Sequence, residues 1–129
     1  MLTLDQLADR AELSDLIARL GRWLDGGALG DAPDVLADSV VVTSPGGRAE
    51  GREAVVAQAR ANHEVRTVHA ITDVLVDQDG DEAAMTANVT ATFANDAAVG
   101  GRYDFTAART ADGWRLTSIA METVWRRGV

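Results

Sequence analysis

The chain has 129 residues, of which 47% are hydrophobic and 25% charged, and we expect a single domain over residues 1–129 with its own core. Cysteine and lysine are both absent, which excludes disulfides, thiolate chemistry, cysteine-bound zinc and a Schiff-base lysine. The formal net charge of −8 argues against nucleic acid and anionic membranes as partners. The sequence shows neither an apolar run of the roughly 18 residues that a membrane span needs nor a signal-peptide pattern, so we expect a cytoplasmic protein.

The first half of the chain is predicted to be mainly helical. A hydrophobic stripe predicts a helix over Leu4–Leu24, with Thr3 or Asp5 as its cap and Gly26–Gly27 supplying a left-handed end. The stripe consists of Leu13, Leu16, Ile17, Leu20, Trp23 and Leu24, and the residues expected to face solvent are Asp9, Arg10, Glu12, Asp15, Arg19 and Arg22.

Two more helices and a short strand are predicted next. A short helix is expected at Ala32–Ala37, where Pro33 suits the first helical turn. The β-branched segment Ser39–Thr43 predicts a brief strand, and the turn after it leads to a third helix over Gly51–His63.

The second half of the chain is predicted to be a meander of four strands. Val65–Asp77 alternates with the period of two of a β-strand, which puts His69 on the same face as Ile71 and Leu75. A bend or bulge is expected at Gly100–Gly101, within the third of these strands. The three later strands are predicted at Glu82–Ala94, Ala98–Arg109 and Trp114–Trp125.

Helices followed by hairpin-connected strands predict an α+β fold. In the predicted architecture, a strongly curved mixed or antiparallel sheet wraps over three N-terminal helices. Such a sheet forms a cone and encloses a pocket between the two layers.

Several short segments stand in the order and spacing of a known family. They are Trp23-Leu24-Asp25, Leu36-Ala37-Asp38, Gly51-Arg52-Glu53-Ala54, Thr67-Val68-His69 and Gly113-Trp114-Arg115-Leu116. Together they resemble the nuclear-transport-factor-2-like superfamily, and its SnoaL-like branch in particular, over nearly the whole chain. The resemblance implies a cystatin-like roll. Members of this superfamily include isomerases, dehydratases, polyketide cyclases and non-catalytic modules, so the fold leaves the function open.

Asp25 and His69 are the predicted catalytic pair. They match the positions at which scytalone-dehydratase-like members of the family pair an aspartate with a histidine. Histidine is a base whose pKa lies near neutrality, and a carboxylate on its other ring nitrogen orients it. The alternative is structural: a buried histidine bound to a backbone carbonyl, and an aspartate that serves the turn after the helix. Tyr103 is a further catalytic candidate, as a hydrogen-bond donor to an oxyanion.

The apolar residues predicted to bind substrate are Leu20, Trp23, Ile71, Met85, Phe93 and Phe105. Scytalone dehydratase has a second histidine in its next strand and several tyrosines, whereas His63 lies at a helix end here and Tyr103 is the only tyrosine. That enzyme is therefore not expected. Steroid-isomerase chemistry is set aside because Ser44, Leu20 and Thr106 stand where that family has its catalytic aspartate, its tyrosine and its acidic partner.

The predicted function is that of a cofactor-independent lyase, isomerase or cyclase. The pair of His69 and Asp25 would act as general acid and base on a small, apolar, carbonyl-bearing molecule, polyketide- or steroid-like. The alternatives are a non-catalytic ligand-binding or dimerisation module of the same fold and an accessory subunit of a larger assembly. No metal site is expected, because the two histidines stand on different elements without ligand spacing. The resemblance also implies a homodimer formed through the outer face of the sheet.

Overall fold

A computed structural model describes residues 1–26 and 29–128 of the chain. Its helices are α1 (Leu4–Asp25) and α2 (Arg52–Asn62), and its strands are β1 (Leu36–Ser44), β2 (Gly47–Glu50), β3 (Thr67–Asp79), β4 (Glu82–Phe93), β5 (Ala98–Thr110) and β6 (Gly113–Arg127). The helices pack against one face of the sheet, and the largest fully buried side chains, such as Trp114, Phe105 and Leu13, lie between the two layers. The predicted α+β fold is confirmed.

Helix α1 begins with a capping box. The Thr3 hydroxyl accepts a hydrogen bond from the Gln6 amide at 3.1 Å, and the Gln6 side chain accepts one from the Thr3 amide at 2.8 Å. The leucine and isoleucine stripe predicted for this helix is buried. The helix ends at Asp25, and Gly26 has a right-handed φ of −70°, so it does not supply the expected left-handed end. Gly27 lies outside the described residues.

The short helix predicted at Ala32–Ala37 is wrong. Ala32 has a positive φ of 47°, and its carbonyl accepts a hydrogen bond from the Leu36 amide at 2.9 Å, which closes a single turn. Leu36 then enters β1, where it is fully buried beside Leu116 of β6. The pairing of β1 with β6 outweighs the local preference for a helix that Pro33 indicated. In the described residues the sheet is therefore covered by two helices, not three.

The strands form one open, mixed sheet in the order β2-β1-β6-β5-β4-β3. Strands β3 to β6 are the predicted antiparallel meander, and β1 lies parallel to the last of them. Strand β2 pairs with β1 at the edge and was not predicted, because its sequence Gly47–Glu50 has no alternating apolar face. The pairing of β1 with β6 joins the N-terminal half of the chain to its C-terminal strand.

The alternation of β3 changes phase in mid-strand. Asp73 has a positive φ of 56°, and the register of β3 against β4 shifts at this residue. Beyond it, Val74 and Val76 pack against the core, whereas Leu75 is 71% exposed. The predicted face shared by His69 and Leu75 is therefore wrong, because one inserted residue moves every later side chain to the opposite face.

The bulge predicted at Gly100–Gly101 is confirmed by a register shift between β5 and β6. A Cβ atom at Gly100 would lie 2.0 Å from the indole of Trp125, and one at Gly101 would lie 2.1 Å from the backbone oxygen of Glu122. Gly101 must therefore lack a side chain for the backbone of β6 to approach this closely, whereas at Gly100 the obstacle is the side chain of Trp125. The bulge increases the local bend of the sheet over the helices.

Candidate functional site

The structure brings Asp25 and His69 into direct contact. Asp25 is the last residue of α1, and His69 is the third residue of β3, so both lie where the helix end crosses the start of the strand. The Asp25 Oδ1 atom lies 2.6 Å from the His69 Nδ1 atom. Gly21 permits the close crossing, because a Cβ there would lie 3.2 Å from the tip of Ile71.

The Asp25 carboxylate accepts more than this one hydrogen bond. The His69 backbone amide donates to both of its oxygens, at 3.0 and 2.9 Å, and the Thr67 hydroxyl donates to Oδ1 at 3.0 Å. Partial burial alone would raise the pKa of Asp25, but the hydrogen bonds from His69 and Thr67 outweigh it and hold that pKa below its usual value. Asp25 is therefore ionised at neutral pH.

The contact with Asp25 also fixes the proton position on the neutral His69 ring. A carboxylate can only accept, so Nδ1 carries the hydrogen and Nε2 carries the lone pair. Among the described residues, Nε2 has no hydrogen-bond partner, and the side chain is only 5% exposed. The arrangement is that of a general base oriented by a carboxylate.

A cavity of about 210 Å³ lies beside this pair, between the two helices and the inner face of the sheet. Its walls are mostly apolar. They include Leu20, Trp23 and Leu24 of α1, Leu36 and Val42 of β1, Val55 and Ala59 of α2, and Ala91, Phe93, Val99, Ile119 and Met121 of the sheet. Its polar side chains are Ser44, Gln58, Asn62, His63, His69 and Tyr103.

Three of the six predicted substrate-binding residues, Leu20, Trp23 and Phe93, line the cavity. The other three do not. Ile71 packs against α1 at Gly21, while Met85 and Phe105 lie in the core with exposures of 1% and 2%. Period-two alternation identifies the inward face of a strand, but it does not distinguish a cavity wall from the filled core further along the same face.

Tyr103 lines the cavity, as its predicted role requires. Its ring packs against Phe105 at a centroid distance of 5.0 Å, and the residue is 8% exposed. Burial, together with the negative charge of Asp25, raises the pKa of Tyr103 to about 12. The phenol therefore keeps its proton at neutral pH and is a hydrogen-bond donor facing the same cavity as His69.

His63 is a cavity residue that the sequence did not identify. It caps the C-terminus of α2, and its ring lies 5.4 Å from the His69 ring, measured between centroids. The separation of six residues between the two histidines spans a helix end and a connecting segment, so no helical or strand period relates them. Burial lowers the pKa of His63 below its usual value, and the neighbouring His69 adds to this effect.

The described residues contain no group of three or more histidine or carboxylate side chains that could hold a metal ion. Within the same part of the chain, neither helix is long and apolar enough to cross a membrane.

Comparison with known proteins identifies the family. A model of the SnoaL-like domain matches residues 5–120. The structure is similar to that of the Kfla4162 protein from Kribbella flavida, with 28% identity, a TM-score of 0.84 and 94% coverage of each chain. A search of curated protein sequences finds no match.

Two further structures, both less than a quarter identical in sequence, have the same fold. A Novosphingobium aromaticivorans protein assigned provisionally as a scytalone dehydratase has 17% identity and a TM-score of 0.85, over 95% of this chain and 89% of its own. The hexachlorocyclohexane dehydrochlorinase LinA-type3 from Novosphingobium barchaimii has 18% identity and a TM-score of 0.81, over 98% and 95%. With the family model covering most of its length, the chain belongs to the SnoaL-like domain family.

Proposed function

We propose that this protein is a cofactor-independent lyase, isomerase or cyclase that moves a proton on a small, apolar, carbonyl-bearing molecule. The observation that carries the proposal is the 2.6 Å contact between Asp25 and His69 at the wall of an apolar cavity. His69 is the general base, Asp25 orients it, and Tyr103 donates a hydrogen bond to the carbonyl oxygen.

The proposed reaction begins with the lone pair on His69 Nε2. It takes a proton from the carbon next to the carbonyl, and the electrons of that C–H bond form an enolate. Asp25 stabilises the imidazolium that results, and the Tyr103 hydroxyl stabilises the enolate oxygen. The imidazolium then returns the proton to another carbon, which gives an isomer. Alternatively, the enolate expels a leaving group on the next carbon, and this group takes the proton from the imidazolium, which completes an elimination and regenerates the base.

The size of the cavity limits the substrate. Pockets for drug-sized ligands have volumes of about 300–1,000 Å³, whereas this cavity has about 210 Å³. Within the predicted range of polyketide- and steroid-like molecules, this volume favours a body of one ring. The dehydratase and dehydrochlorinase named among the structural relatives are both named for eliminations, which supports a lyase within the proposed class.

Proton exchange tests the proposal directly. One-ring ketones are incubated with the protein in D₂O, and the loss of their α-proton signals is followed by NMR. We expect His69→Ala to reduce this exchange rate by about 10²–10⁴-fold, the usual contribution of a general base. The matched control is Asp15→Asn, an exposed position on α1 away from the cavity, which should exchange like the unmodified protein. Exchange no faster than in buffer, or unchanged in His69→Ala, would contradict the proposal.

A non-catalytic binding module is the second candidate. It is favoured by the hydrogen bonds that Asp25 accepts from the His69 amide and the Thr67 hydroxyl, since these tie α1 to β3 whether or not the ring reacts. In that case the His69→Ala protein would lose stability but no turnover would exist to be lost. The exchange experiment therefore separates the two candidates.

A further inference from the structure

His63 borders the cavity beside the proposed base, yet the reaction above gives it no role. It reaches this position from the C-terminus of α2, whereas His69 lies on β3, so the two rings come from separate elements. Their centroids are 5.4 Å apart and their planes are inclined by 41°, so the rings are tilted neighbours and are not stacked. At this separation the two rings are in contact, so a ligand in the cavity would border both of them.

The proton position on His63 follows from its backbone contact. Its Nδ1 atom lies 2.7 Å from the carbonyl oxygen of Ala59, one turn earlier in the helix. A carbonyl can only accept, so Nδ1 carries the hydrogen and donates it. In the neutral ring Nε2 is then a bare acceptor, and it has no partner among the described residues. Unlike His69, whose Nδ1 binds a carboxylate, His63 binds a backbone carbonyl through its Nδ1 atom.

The other polar groups of the cavity are matched to different parts of a ligand. Tyr103 is a donor suited to a carbonyl oxygen, and His69 Nε2 is a base suited to the neighbouring C–H group. Ser44, Gln58 and Asn62 also border the cavity, and Asn62 is exposed to solvent. Among the described residues, Arg10 Nε is the only buried side-chain nitrogen or oxygen without a hydrogen-bond partner, so His63 Nε2 is not sealed from solvent. A ligand hydroxyl that takes the place of water in the cavity can therefore donate to this acceptor.

We propose that His63 is a specificity-determining residue, whose Nε2 accepts a hydrogen bond from a hydroxyl group on the ligand. The preferred substrate then carries an O–H group as well as its carbonyl, within the one-ring size of the cavity. This inference rests on the proposed function for the use of the cavity, but not on turnover, because the recognition is a property of binding.

The test uses two unreactive probes with the same ring. The O–H group of p-cresol can donate a hydrogen bond, and 4-methylanisole has an O–CH₃ group that cannot. Dissociation constants are measured by NMR titration near pH 8, where the His63 ring is neutral because burial lowers its pKa. We expect the unmodified protein to bind p-cresol more tightly by about three- to tenfold, as one hydrogen bond contributes. In His63→Phe, which keeps an aromatic ring at the wall, the preference should fall to about one.

Two further variants assign the preference to one nitrogen. Asn62→Ala should retain the preference for p-cresol, which excludes the side-chain amide of Asn62 as the acceptor. His69→Phe should keep it as well. A preference that survives in His63→Phe and disappears in His69→Phe would mean that the hydroxyl binds the base, and would overturn the inference.

The unmodified protein provides a measurement that does not depend on how the variants fold. In a ¹⁵N-labelled sample, we expect the His63 ring to show the neutral form with hydrogen on Nδ1, and its Nε2 signal to shift upfield when p-cresol binds but not with 4-methylanisole. The opposite ring form, or equal affinity for the two probes, would overturn the inference and leave the proposed function standing. Absence of proton exchange with the preference intact would contradict the proposed function alone. If neither probe enters the cavity, the inference is wrong, and the exchange assay alone decides the proposed function.

Discussion

Asp25 serves the proposed chemistry and the fold with the same carboxylate. Its Oδ1 atom contacts the His69 ring, while the His69 amide and the Thr67 hydroxyl bind the same group. Asp25 binds both the main chain and the side chain of His69. Two independent contacts therefore fix the position of the His69 ring relative to the end of α1. Rigid support of this kind is what a base needs in order to meet a ligand atom at a fixed place.

Replacing this carboxylate should therefore reduce both exchange activity and stability. Asp25→Asn keeps the size of the side chain but loses the charge, and we expect the free energy of unfolding at pH 7 to fall by about 2 kcal/mol, as for hydrogen bonds to a charged group. Proton exchange should fall as well, because an amide can hold the ring in the wrong tautomer. Urea unfolding and the D₂O assay measure the two effects, with the exposed substitution Asp15→Asn as the control.

The stability difference should also depend on pH in a defined direction. The pKa of Asp25 is lowered in the folded protein, so the unfolded chain binds the proton more readily. The contribution of Asp25 is then fully present above the unfolded value of about 3.9 and is lost as the pH falls through the folded one. The gap in free energy of unfolding between the unmodified protein and Asp25→Asn should accordingly become smaller as the pH falls. A gap that widens as the pH falls would contradict the assigned contacts.

The residues of the candidate site were predictable to different degrees. Asp25 and His69 could be found because each stands in a local segment with a family pattern, and Tyr103 because a buried phenol needs a partner. His63 could not be found, since its position depends on the angle at which α2 packs over the cavity. The helical phase of Asp9 predicted an exposed side chain. The residue is only 9% exposed, because side chains from three strands bind its carboxylate.

Asp9 connects α1 to three strands of the sheet. Arg109 of β5 binds both of its oxygens, at 2.9 and 2.7 Å, while Gln78 of β3 and the indole of Trp114 of β6 each donate one more hydrogen bond. The hydrogen bonds from Arg109, Gln78 and Trp114 hold the pKa of Asp9 far below its usual value. This contact is made near the start of α1, as the Asp25 contact is made at its end, so the helix is fastened to the sheet at both ends.

Asp9→Asn should lower the thermal stability by several degrees, because an amide cannot accept both hydrogen bonds of the guanidinium and leaves Asp81 as the remaining charged partner of Arg109. Thermal unfolding at pH 7 followed by circular dichroism measures the change. Asp15→Asn, an exposed substitution on the same helix, is the matched control. Equal melting temperatures for the two variants would show that the Asp9 cluster contributes nothing to the fold.

The bulge in β5 offers a second comparison between neighbouring positions. At Gly100 an added methyl group meets the indole of Trp125, which is 42% exposed and can move outwards, whereas at Gly101 it meets the backbone of Glu122. We expect Gly101→Ala to reduce the free energy of unfolding by about 3 kcal/mol, and Gly100→Ala by at most about 1 kcal/mol. Tryptophan emission should shift to the red only in Gly100→Ala. A larger loss in Gly100→Ala would contradict this packing.

At the scale of elements, the sequence predicted what local periodicity controls. The amphipathic phase of α1 and the long strands β4 to β6 follow from it. The phase of β3 after Asp73 does not, because a single residue with positive φ reverses the alternation and leaves no composition signal. The helix predicted at Ala32–Ala37 is wrong because local periodicity does not control this segment either. Its turn exists, but the strand that follows is stabilised by a partner 80 residues away, as with Leu36 beside Leu116.

The whole molecule presents one sheet face that the helices do not cover. On this face Val68 is 66% exposed and Leu75 is 71% exposed, both on the edge strand β3. The neighbouring positions Thr86, Thr90, Asp104 and Ala120 on β4, β5 and β6 are small or polar and mostly open to solvent. A sheet face with small side chains and exposed apolar groups suits association with a second copy.

We expect a homodimer through this face, with a mass in solution of twice 13.6 kDa. Leu75→Glu should shift the protein toward monomer, since it places a charge within the apolar contact, whereas Leu7→Glu, at a 50% exposed position on α1, should not. Because each chain carries a net charge of −8, the two copies repel one another, and raising the salt concentration should strengthen the dimer by screening that repulsion. Light scattering after size exclusion, at low and high salt, measures both effects. If the protein is a monomer in both conditions, the predicted dimer is wrong. If Leu7→Glu dissociates the dimer, the interface lies on the helix and not on the sheet.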